Sequence, residues 1–308
     1  MKYLLLYNPV SGKGKFYKKI PYIKDYFKNK GLELDIYSSK SPKDLEDKAT
    51  MFSSKYDVFL VSGGDGTINE VVNGLMRVNK RPSLAVLPSG TANDVAAILG
   101  ISKKIKKTLD IITTTKPVGM DVNLLNDRYF LYTTAAGILT KISYDIPRSK
   151  VKKFGYFAYL SEGAKDIMKN YRMKMNVVHD EGEISGEFML VLGLSSRRVG
   201  GFFLKNFSRP KLDDGKFELR LIRSRKFFKL TKLASFFLFG GKKGKRDVQL
   251  ESSYYKISTS SDIVWNTDGE KACIGEVEIT VMKKQINVYV SKKSKKKFFS
   301  INDWQIIF

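Results

Sequence analysis

Three short segments of this 308-residue chain combine glycine with the small hydroxyl, amide and carboxylate side chains that bind phosphates. They are residues 8–14 (NPVSGKG), 63–70 (GGDGTINE) and 88–94 (PSGTAND). Glycine lets the backbone adopt positive φ and lets another group approach closely, so free N–H groups can point at an anion. All three segments therefore favour phosphate as a ligand.

The second segment follows an apolar run at 58–61 and precedes apolar residues at helical spacing, which predicts a strand, a tight turn and a helix. Thr67 and Glu70 are predicted to form a capping box at the helix start. Neither the dinucleotide fingerprint nor a Walker loop fits this spacing. Asp65 would repel phosphate oxygens unless a cation lies between them, so the turn favours a Mg²⁺-nucleotide. A glycine-rich turn with an exposed Asp is the plainer alternative.

From the start of the chain to about residue 121, strand patterns alternate with helix patterns, and the three segments lie between them. The predicted strands are 3–7, 32–37, 58–61, 84–87 and 118–122, and helices are predicted near 22–30, 41–52, 68–75, 95–100 and 103–113. Repeated strand–helix units imply a parallel sheet covered by helices, with ligands at the carboxyl ends of the strands. The three segments all lie at those ends.

Beyond residue 121 the apolar period shifts toward two, which indicates a mainly antiparallel β region. Strands are predicted near 129–134, 187–192, 217–222, 254–258, 277–281 and 286–290, with helices near 152–169 and 226–239.

In this order and at these separations, the three segments resemble the bacterial diacylglycerol and lipid kinase family, which shares its catalytic domain with sphingosine and ceramide kinases. The resemblance covers nearly the whole chain. It implies a doubly wound parallel α/β nucleotide-binding domain over 1–122 and an antiparallel β-sandwich lipid-substrate domain over 123–290, with 291–308 packing back on the first. It also implies transfer of the γ-phosphate of ATP to a lipid hydroxyl, most simply that of diacylglycerol, to give phosphatidate.

Backbone N–H groups of 8–12 and 64–69 are expected to cradle the nucleotide, with side-chain hydroxyls nearby. Ser39, after the second strand, resembles a further nucleotide contact of the family. The expected nucleotide-binding residues are Asn8, Pro9, Val10, Ser11, Gly12, Ser39, Gly64, Asp65, Gly66, Thr67, Ile68, Asn69, Glu70 and Thr91.

Three carboxylates near strand ends, Asp65, Asp94 and Asp121, are expected to hold a catalytic Mg²⁺ directly or through water. Asp94 has an alternative role, because it stands three residues after Thr91 and the pair fits a helix cap.

The segment 211–217 (KLDDGKF) resembles the structural Mg²⁺ loop of the family. There Asp214 would contribute its carboxylate, while Lys211 and Lys216 would contribute backbone carbonyls, which suits a hard cation. The family often has an aromatic residue where Lys216 stands. By spacing alone, an Asp-Gly hairpin turn fits equally well.

A proton acceptor is harder to find, because the only histidine, His179, lies in a predicted hairpin. The Asp-Gly-Glu sequence at 268–270 resembles the family loop whose glutamate accepts the proton from the attacking hydroxyl. Glu270 is therefore the expected base, acting with Asp65. Thr267 precedes this turn where the family usually has an apolar residue, and the Asp-Gly pair also fits a plain turn.

Fifty-five Lys and Arg against thirty-one Asp and Glu give a net charge of +24, which favours polyanionic partners. No helix-turn-helix, zinc or RNA-binding motif is present, so no nucleic-acid partner is expected. A helix around 226–239 would carry Phe227, Leu230, Ala234 and Phe237 on one face and Arg225, Lys229 and Lys232 on another. That pattern suits an anionic membrane surface, and it equally suits packing on the protein's own β domain. A general lysine bias is the alternative source of the charge.

A single cysteine, Cys273, excludes an internal disulfide and indicates a reducing compartment. No apolar stretch approaches the roughly 20 residues that span a bilayer, so the expected location is cytoplasmic, peripheral to the inner face of the membrane. The oligomeric state stays open, a homodimer included. Two other functions compete, namely an NAD-kinase-like phosphotransferase, which shares Gly-Gly-Asp-Gly, and a basic membrane- or nucleic-acid-binding protein without catalysis. The first segment and the Asp-Gly-Glu turn favour the lipid kinase.

Overall fold

The computed structural model describes residues 1–138, 172–224 and 229–300. The helix predicted near 152–169 lies outside these residues, as do the first residues of the helix predicted near 226–239 and the chain end at 301–308. No helix in the described ranges is long and apolar enough to cross a membrane.

The amino-terminal part is a parallel sheet in the order β4-β3-β1-β2, flanked by helices. Its strands are β1 (Lys2–Tyr7), β2 (Glu33–Ser38), β3 (Val58–Gly63) and β4 (Ser83–Pro88). Its helices are α1 (Ile20–Lys28), α2 (Asp44–Phe52), α3 (Asp65–Met76), α4 (Asp94–Ile98) and α5 (Ile105–Thr114), with a 3₁₀ turn at Phe16–Lys19. The predicted alternation is confirmed, with ends shifted by one to three residues.

Both faces of this sheet are buried, because side chains alternate between two helical layers. Leu4 and Leu6 of β1 join a core with α2, α3 and α4. Tyr3 and Leu5 point to the opposite face and join a core with α1 and α5. The carboxyl ends of β1, β3 and β4 therefore lie side by side, and the three glycine-rich loops follow them directly.

The rest of the described chain is mainly antiparallel β structure. Its strands are β5 (Val118–Leu125), β6 (Arg128–Phe130), β7 (Thr133–Gly137), β8 (Met173–His179), β9 (Gly182–Leu194), β10 (Arg198–Val199), β11 (Phe202–Phe203), β12 (Phe217–Arg223), β13 (Val248–Ser252), β14 (Tyr254–Thr259), β15 (Val264–Thr267), β16 (Glu270–Ile274) and β17 (Val277–Val288). Helices α6 (Lys229–Leu238) and α7 (Lys292–Phe298) complete the described elements.

A single core connects strands that are far apart in the sheet order. Trp265 of β15, Ile257 of β14 and Phe217 of β12 are fully buried and pack in the same cluster. The antiparallel sheet must therefore curl around this core, which agrees with the two-layered β domain that the resemblance implies.

The predicted strands at 277–281 and 286–290 are one strand, β17. An irregularity between Met282 and Ile286 interrupts its pairing with β5, and Lys284 there has a φ of +51°. Val288 of β17 pairs in parallel with Leu84 of β4, so the two sheets are continuous. β5 runs antiparallel to β17 and is not a further parallel strand of the first sheet.

Residues 291–300 return to the amino-terminal part, as the resemblance implies for the chain end. Ser291 caps α7 by accepting the Ser294 N–H at 3.2 Å, and its own N–H bonds to Leu99. Phe298 and Phe299 are buried in the core that contains α3.

Candidate active site

The first loop, residues 8–14, turns above the carboxyl end of β1. Its Asn8 donates its backbone N–H to Ser62 of β3 at 3.0 Å and accepts the Val10 N–H on its side chain at 3.1 Å. The Asn8 Nδ2 reaches the Thr67 hydroxyl at 3.4 Å. Asn8 therefore connects this loop to β3 and to the first turn of α3.

The three glycine-rich loops pack backbone against backbone. A Cβ at Gly12, whose φ is +58°, would overlap the carbonyl oxygen of Ser89, and a Cβ at Gly90 would overlap the Cα of Gly64. Gly90 also donates its N–H to the Gly63 carbonyl at 3.1 Å. Any side chain at these positions would push the loops apart, so the glycines permit this close contact in addition to the phosphate access expected of them.

Other predicted nucleotide contacts surround this group. Ser39 donates its N–H to the Tyr7 carbonyl at the end of β1, 2.9 Å away, which places it beside the first loop. Val10 and Thr91 are exposed in their loops. The Ile68 side chain is buried in the core, so only its backbone is available to a ligand.

Helix α3 begins at Asp65, with Gly64 at the N-cap and no side-chain cap bond. Thr67 and Glu70 thus lie inside the helix, and the capping box predicted from them is wrong. The Thr67 hydroxyl meets Asn8 instead, and burial raises the pKa of Glu70 while the Lys43 N–H lowers it. The first N–H groups of a helix have no intrahelical acceptor and favour an anion, and here they face the loop cluster.

The Asp65 carboxylate caps a second helix. It accepts the backbone N–H groups of Asp94 at 3.1 Å and Val95 at 2.9 Å, which are the first two residues of α4. The pKa of Asp65 is raised to about 6, chiefly by burial and also by the charges of Asp94 and Asp268, while the N–H groups of Val95 and Asp94 lower it. Asp65 thus holds the second and third loops together.

Asp94 is fully buried beside Asp65. Its carboxylate accepts the Gly201 N–H at 3.0 Å and pairs with the Arg198 Nε at 3.4 Å. The alternative role as a cap with Thr91 is not realised, because Asn93, with a φ of +53°, occupies the N-cap of α4 and makes no side-chain cap bond. Asp94 therefore connects the third loop to the β10–β11 hairpin.

Asp121 belongs to a different group of contacts from Asp65 and Asp94. Its carboxylate accepts the Gly215 N–H and the Lys284 N–H, each at 2.7 Å. Burial raises its pKa, opposed by these two N–H groups, while Asp214 and Asp213 raise it further. Asp121 thus braces the loop around Asp214.

Glu270 opens β16 and lies next to the start of α3. Its Oε1 is 2.7 Å from the position that a Cβ on Gly66 would occupy. The side chain is exposed at the mouth of the loop cluster. A carboxylate from the β domain is thereby placed against the helix turn that is expected to hold phosphate.

Asp268 was expected only as part of the Asp-Gly-Glu turn that carries Glu270, and the structure gives its side chain a set of partners of its own. It is buried at a φ of +49°, and its carboxylate accepts N–H groups from Asn69, Leu131, Tyr132 and Thr133 at 2.7–3.2 Å. Burial raises its pKa, and these four donors oppose the shift. The Asp-Gly-Glu pattern drew attention to this turn, but it could not reveal the role of Asp268, because the partners of its carboxylate are distant in sequence.

The loop 211–216 offers one carboxylate and backbone carbonyls, a donor set that fits Mg²⁺. Burial raises the pKa of Asp214, and the charges of Glu251 and Asp213 raise it further, so a cation there would relieve repulsion. Asp213 is engaged elsewhere, 3.6 Å from the Lys284 ammonium and bonded to Ser300. Within the described ranges no group of three His, Cys, Asp or Glu side chains could hold a metal, so a metal here would need the carbonyls.

The face of α6 that was predicted to meet a membrane is partly internal. The Lys232 ammonium bonds to the buried Asp247 at 2.6 Å and to the Arg223 carbonyl at 3.1 Å. Leu233 and Phe236 are buried against the β domain. For Lys232 the membrane-facing prediction is wrong, because its charge is neutralised by Asp247; Arg225 and the Lys229 side chain lie outside the described part.

The family model of the diacylglycerol kinase catalytic domain matches residues 2–124. The chain is 31% identical over 296 residues to the diacylglycerol kinase of Staphylococcus carnosus, covering 94% of this chain and 95% of that protein. It is 34% identical over 271 residues to the diacylglycerol kinase of Staphylococcus aureus strain RF122, and the match covers 86% of this chain and 85% of that protein. A crystal structure of a diacylglycerol kinase from Bacillus anthracis str. Sterne has the same fold, with a TM-score of 0.77, 24% identity and coverage of 95% and 98%.

Proposed function

Because the chain belongs to the diacylglycerol kinase family, we propose that it transfers the γ-phosphate of ATP to the hydroxyl of diacylglycerol and forms phosphatidate. The observation that carries the proposal is the position of Glu270. Its carboxylate stands against Gly66 in the first turn of α3, where a base and a phosphate-binding turn can act on the same pair of reactants.

The nucleotide lies, in this proposal, over the three packed loops. Backbone N–H groups from Gly64 to Asn69 and from the 8–12 loop hold its phosphates, while Ser11, Ser39 and Thr91 contact it from the rim. The close approach of Gly12 to Ser89 and of Gly64 to Gly90 supports this arrangement, because it brings all the donors to one place.

Phosphoryl transfer requires little covalent chemistry from the protein beyond positioning and removal of one proton. Glu270 accepts the proton of the lipid hydroxyl as the oxygen attacks the γ-phosphorus, the γ-phosphate bond to ADP breaks, and the proton remains on the carboxyl until the product leaves. Asp268 holds this turn in place through Asn69 and three backbone N–H groups. The exposed position of Glu270 leaves it accessible to a substrate hydroxyl.

Asp65 and Asp94 are the residues that would hold a catalytic Mg²⁺, which, when bound, offsets the negative charge of the phosphates. The raised pKa of Asp65, to about 6, supports this role, since its buried charge is only partly compensated by two N–H groups. Asp121 and the 211–216 loop are proposed as a second, structural cation site, with Asp214, Lys211 and Lys216 as ligands. Lys216 also pairs with Glu251 at 3.4 Å, which draws its ammonium away from that site.

The other functions considered have less support. An NAD-kinase-like activity explains Gly-Gly-Asp-Gly but not the match of the whole chain to lipid kinases. A non-catalytic binding protein explains the charge but not the convergence of Asp65, Asp94 and Glu270. We place the enzyme at the inner face of the membrane, in contact with anionic lipid, where its substrate lies.

Transfer of ³²P from γ-labelled ATP to a panel of lipid alcohols tests the proposal. We expect label in phosphatidate that depends on Mg²⁺, with little transfer to NAD. Label in NAD, or in no lipid of the panel, would contradict it.

A further inference from the structure

The β10–β11 hairpin and the end of α6 together form an exposed apolar surface. Phe202 and Phe203 are 39% and 47% exposed, and Leu238 and Phe239 are 81% and 60% exposed. We call these four residues the apolar ridge. Large apolar side chains exposed together mark a surface that binds a partner or a membrane.

Specific contacts hold the two parts of the ridge together. The Phe202 ring packs against the Phe237 ring of α6, with the ring centroids 5.4 Å apart. Asn206 donates its backbone N–H to Gly240 at 2.7 Å and its Nδ2 to the Phe239 carbonyl at 2.8 Å. The ridge is therefore a preformed surface and not a set of unrelated side chains.

A basic cleft of about 530 Å³ adjoins the ridge. It is lined by Arg197, Lys205, Asn206, Ser208, Arg209 and Lys242. Its described lining contains four cations and no acidic residue, and the buried Ser208 hydroxyl has no hydrogen-bond partner in the described structure. Lys297 adds a further cation, with its ammonium 5.0 Å from the centre of the Phe203 ring.

Apolar side chains flanked by cations match an anionic phospholipid surface, which offers acyl chains beside phosphate groups. A soluble acidic partner would satisfy the cleft but leave Leu238 and Phe239 against water. The charge and the exposed apolar side chains therefore favour a bilayer as the occupant.

The hairpin also contacts the candidate active site. Gly201, which lies in the turn of the hairpin, donates its backbone N–H to Asp94 Oδ2 at 3.0 Å. The Arg198 Nε pairs with Asp94 Oδ1 at 3.4 Å. Asp94 in turn donates its N–H to Asp65 at 3.1 Å. A chain of hydrogen bonds thus runs from the exposed phenylalanines to the phosphate-binding loops.

We propose that the apolar ridge enters an anionic bilayer, with lipid phosphates in the basic cleft, and that the Gly201–Asp94 contact fixes the active site at the membrane surface. This inference rests on the proposed lipid kinase function. It assigns docking to the end of α6 together with the β10–β11 hairpin, whereas the sequence pattern indicated the basic face of the helix near 226–239.

Insertion is tested directly with a fluorescent reporter in the full chain. Phe203→Trp and, as the matched control, Tyr22→Trp on α1 each place an indole at a site where the native ring is about half exposed. Vesicles of phosphatidylglycerol with brominated acyl chains should quench the indole of Phe203→Trp and leave that of Tyr22→Trp unchanged. Vesicles of brominated phosphatidylcholine should quench much less, and added salt should reduce the effect. Equal quenching of the two variants, or of neither, would overturn the proposal.

Docking is separated from chemistry by the double variant Phe202→Ala/Phe203→Ala, with Tyr22→Ala/Met51→Ala as the control. The ridge variant lacks the two phenyl rings that the proposal buries in the bilayer. We therefore expect its binding to vesicles and its activity on them to fall by at least about tenfold. Activity on short-chain, water-dispersed diacylglycerol should be unchanged. Equal loss on both substrates, or loss of a dimer in sedimentation, would overturn the assignment. If the parent phosphorylates no lipid but the vesicle results hold, the docking surface stands and the proposed function fails.

Discussion

Asn69 in α3 donates from Nδ2 to Oδ2 of Asp268 at 2.9 Å, although 199 positions separate the two residues. The bond joins α3, whose first turn is the proposed phosphate site, to the turn that carries Glu270. Asn73, one helical turn on, bonds to the Tyr129 carbonyl and adds a second connection between α3 and the β domain. The relative position of the proposed base and the proposed phosphate site thus depends on contacts between the two halves of the chain.

Replacement of Asn69 by Ala should lower kcat by up to roughly 100-fold, because loss of this bond lets the Glu270 turn shift and small misplacements are costly. Nucleotide affinity should change little, since Asn69 is expected to contact nucleotide through its backbone. Steady-state kinetics with parallel nucleotide titration measure both. Asn29→Ala, at the exposed end of α1, is the control. Loss of affinity without loss of kcat would contradict the positioning role.

Glu270→Gln should reduce kcat by roughly 10²–10⁴-fold, because the amide cannot accept the proton of the attacking hydroxyl. Nucleotide binding and thermal stability should stay close to the parent, since the side chain is exposed. Glu276→Gln, also exposed on the β domain, should retain full activity. An unchanged kcat for Glu270→Gln would remove this residue from the mechanism.

Asp65 has two roles that two substitutions separate. Asp65→Ala removes both acceptors of the α4 N–H groups and should lower the free energy of unfolding by about 0.5–2 kcal/mol, as for a lost helix cap. Asp65→Asn keeps one oxygen acceptor and should be closer to the parent in stability. Both should lose Mg²⁺-ATP turnover. Denaturant titration and kinase assays measure these effects, and an active Asp65→Asn variant would reduce Asp65 to a structural cap.

Asp214→Ala should remove the stabilisation that millimolar Mg²⁺ gives the parent. A cation bound only by the native state contributes RT ln(1 + [Mg²⁺]/Kd), which vanishes when the site is lost. Thermal melts with and without Mg²⁺, in the absence of nucleotide, measure the difference. Asp25→Ala on the exposed face of α1 is the matched control. The same Mg²⁺ response in parent and Asp214→Ala would leave the loop as a hairpin turn.

Lys232→Met should lower the free energy of unfolding by roughly 1–3 kcal/mol, because it leaves the buried Asp247 without its cation. Lys243→Met, on an exposed residue, should have little effect. Chemical denaturation of the two variants provides the comparison. A stable Lys232→Met variant with reduced vesicle binding would restore Lys232 to the membrane surface.

The sequence by itself determined the alternating elements of the amino-terminal part, several strands of the β part and the loops of the site. Apolar runs and helical spacing predicted β1, β3, β4 and their helices, because burial of a strand or of one helix face produces a characteristic spacing of apolar residues along the sequence. Glycine-rich segments at the strand ends indicated a phosphate site in the same way. In both cases the sequence pattern and the structure that it predicts involve the same few neighbouring residues.

Tertiary structure alone decided which partners those residues have. It placed Asp94 against the β10–β11 hairpin, Asp121 against the Asp214 loop and Asp268 against Asn69. It also turned Lys232 inward to Asp247. A buried carboxylate must accept hydrogen bonds, because an unpaired buried charge is costly. The donors here come from segments that are distant in sequence, so periodicity and local spacing could not identify them.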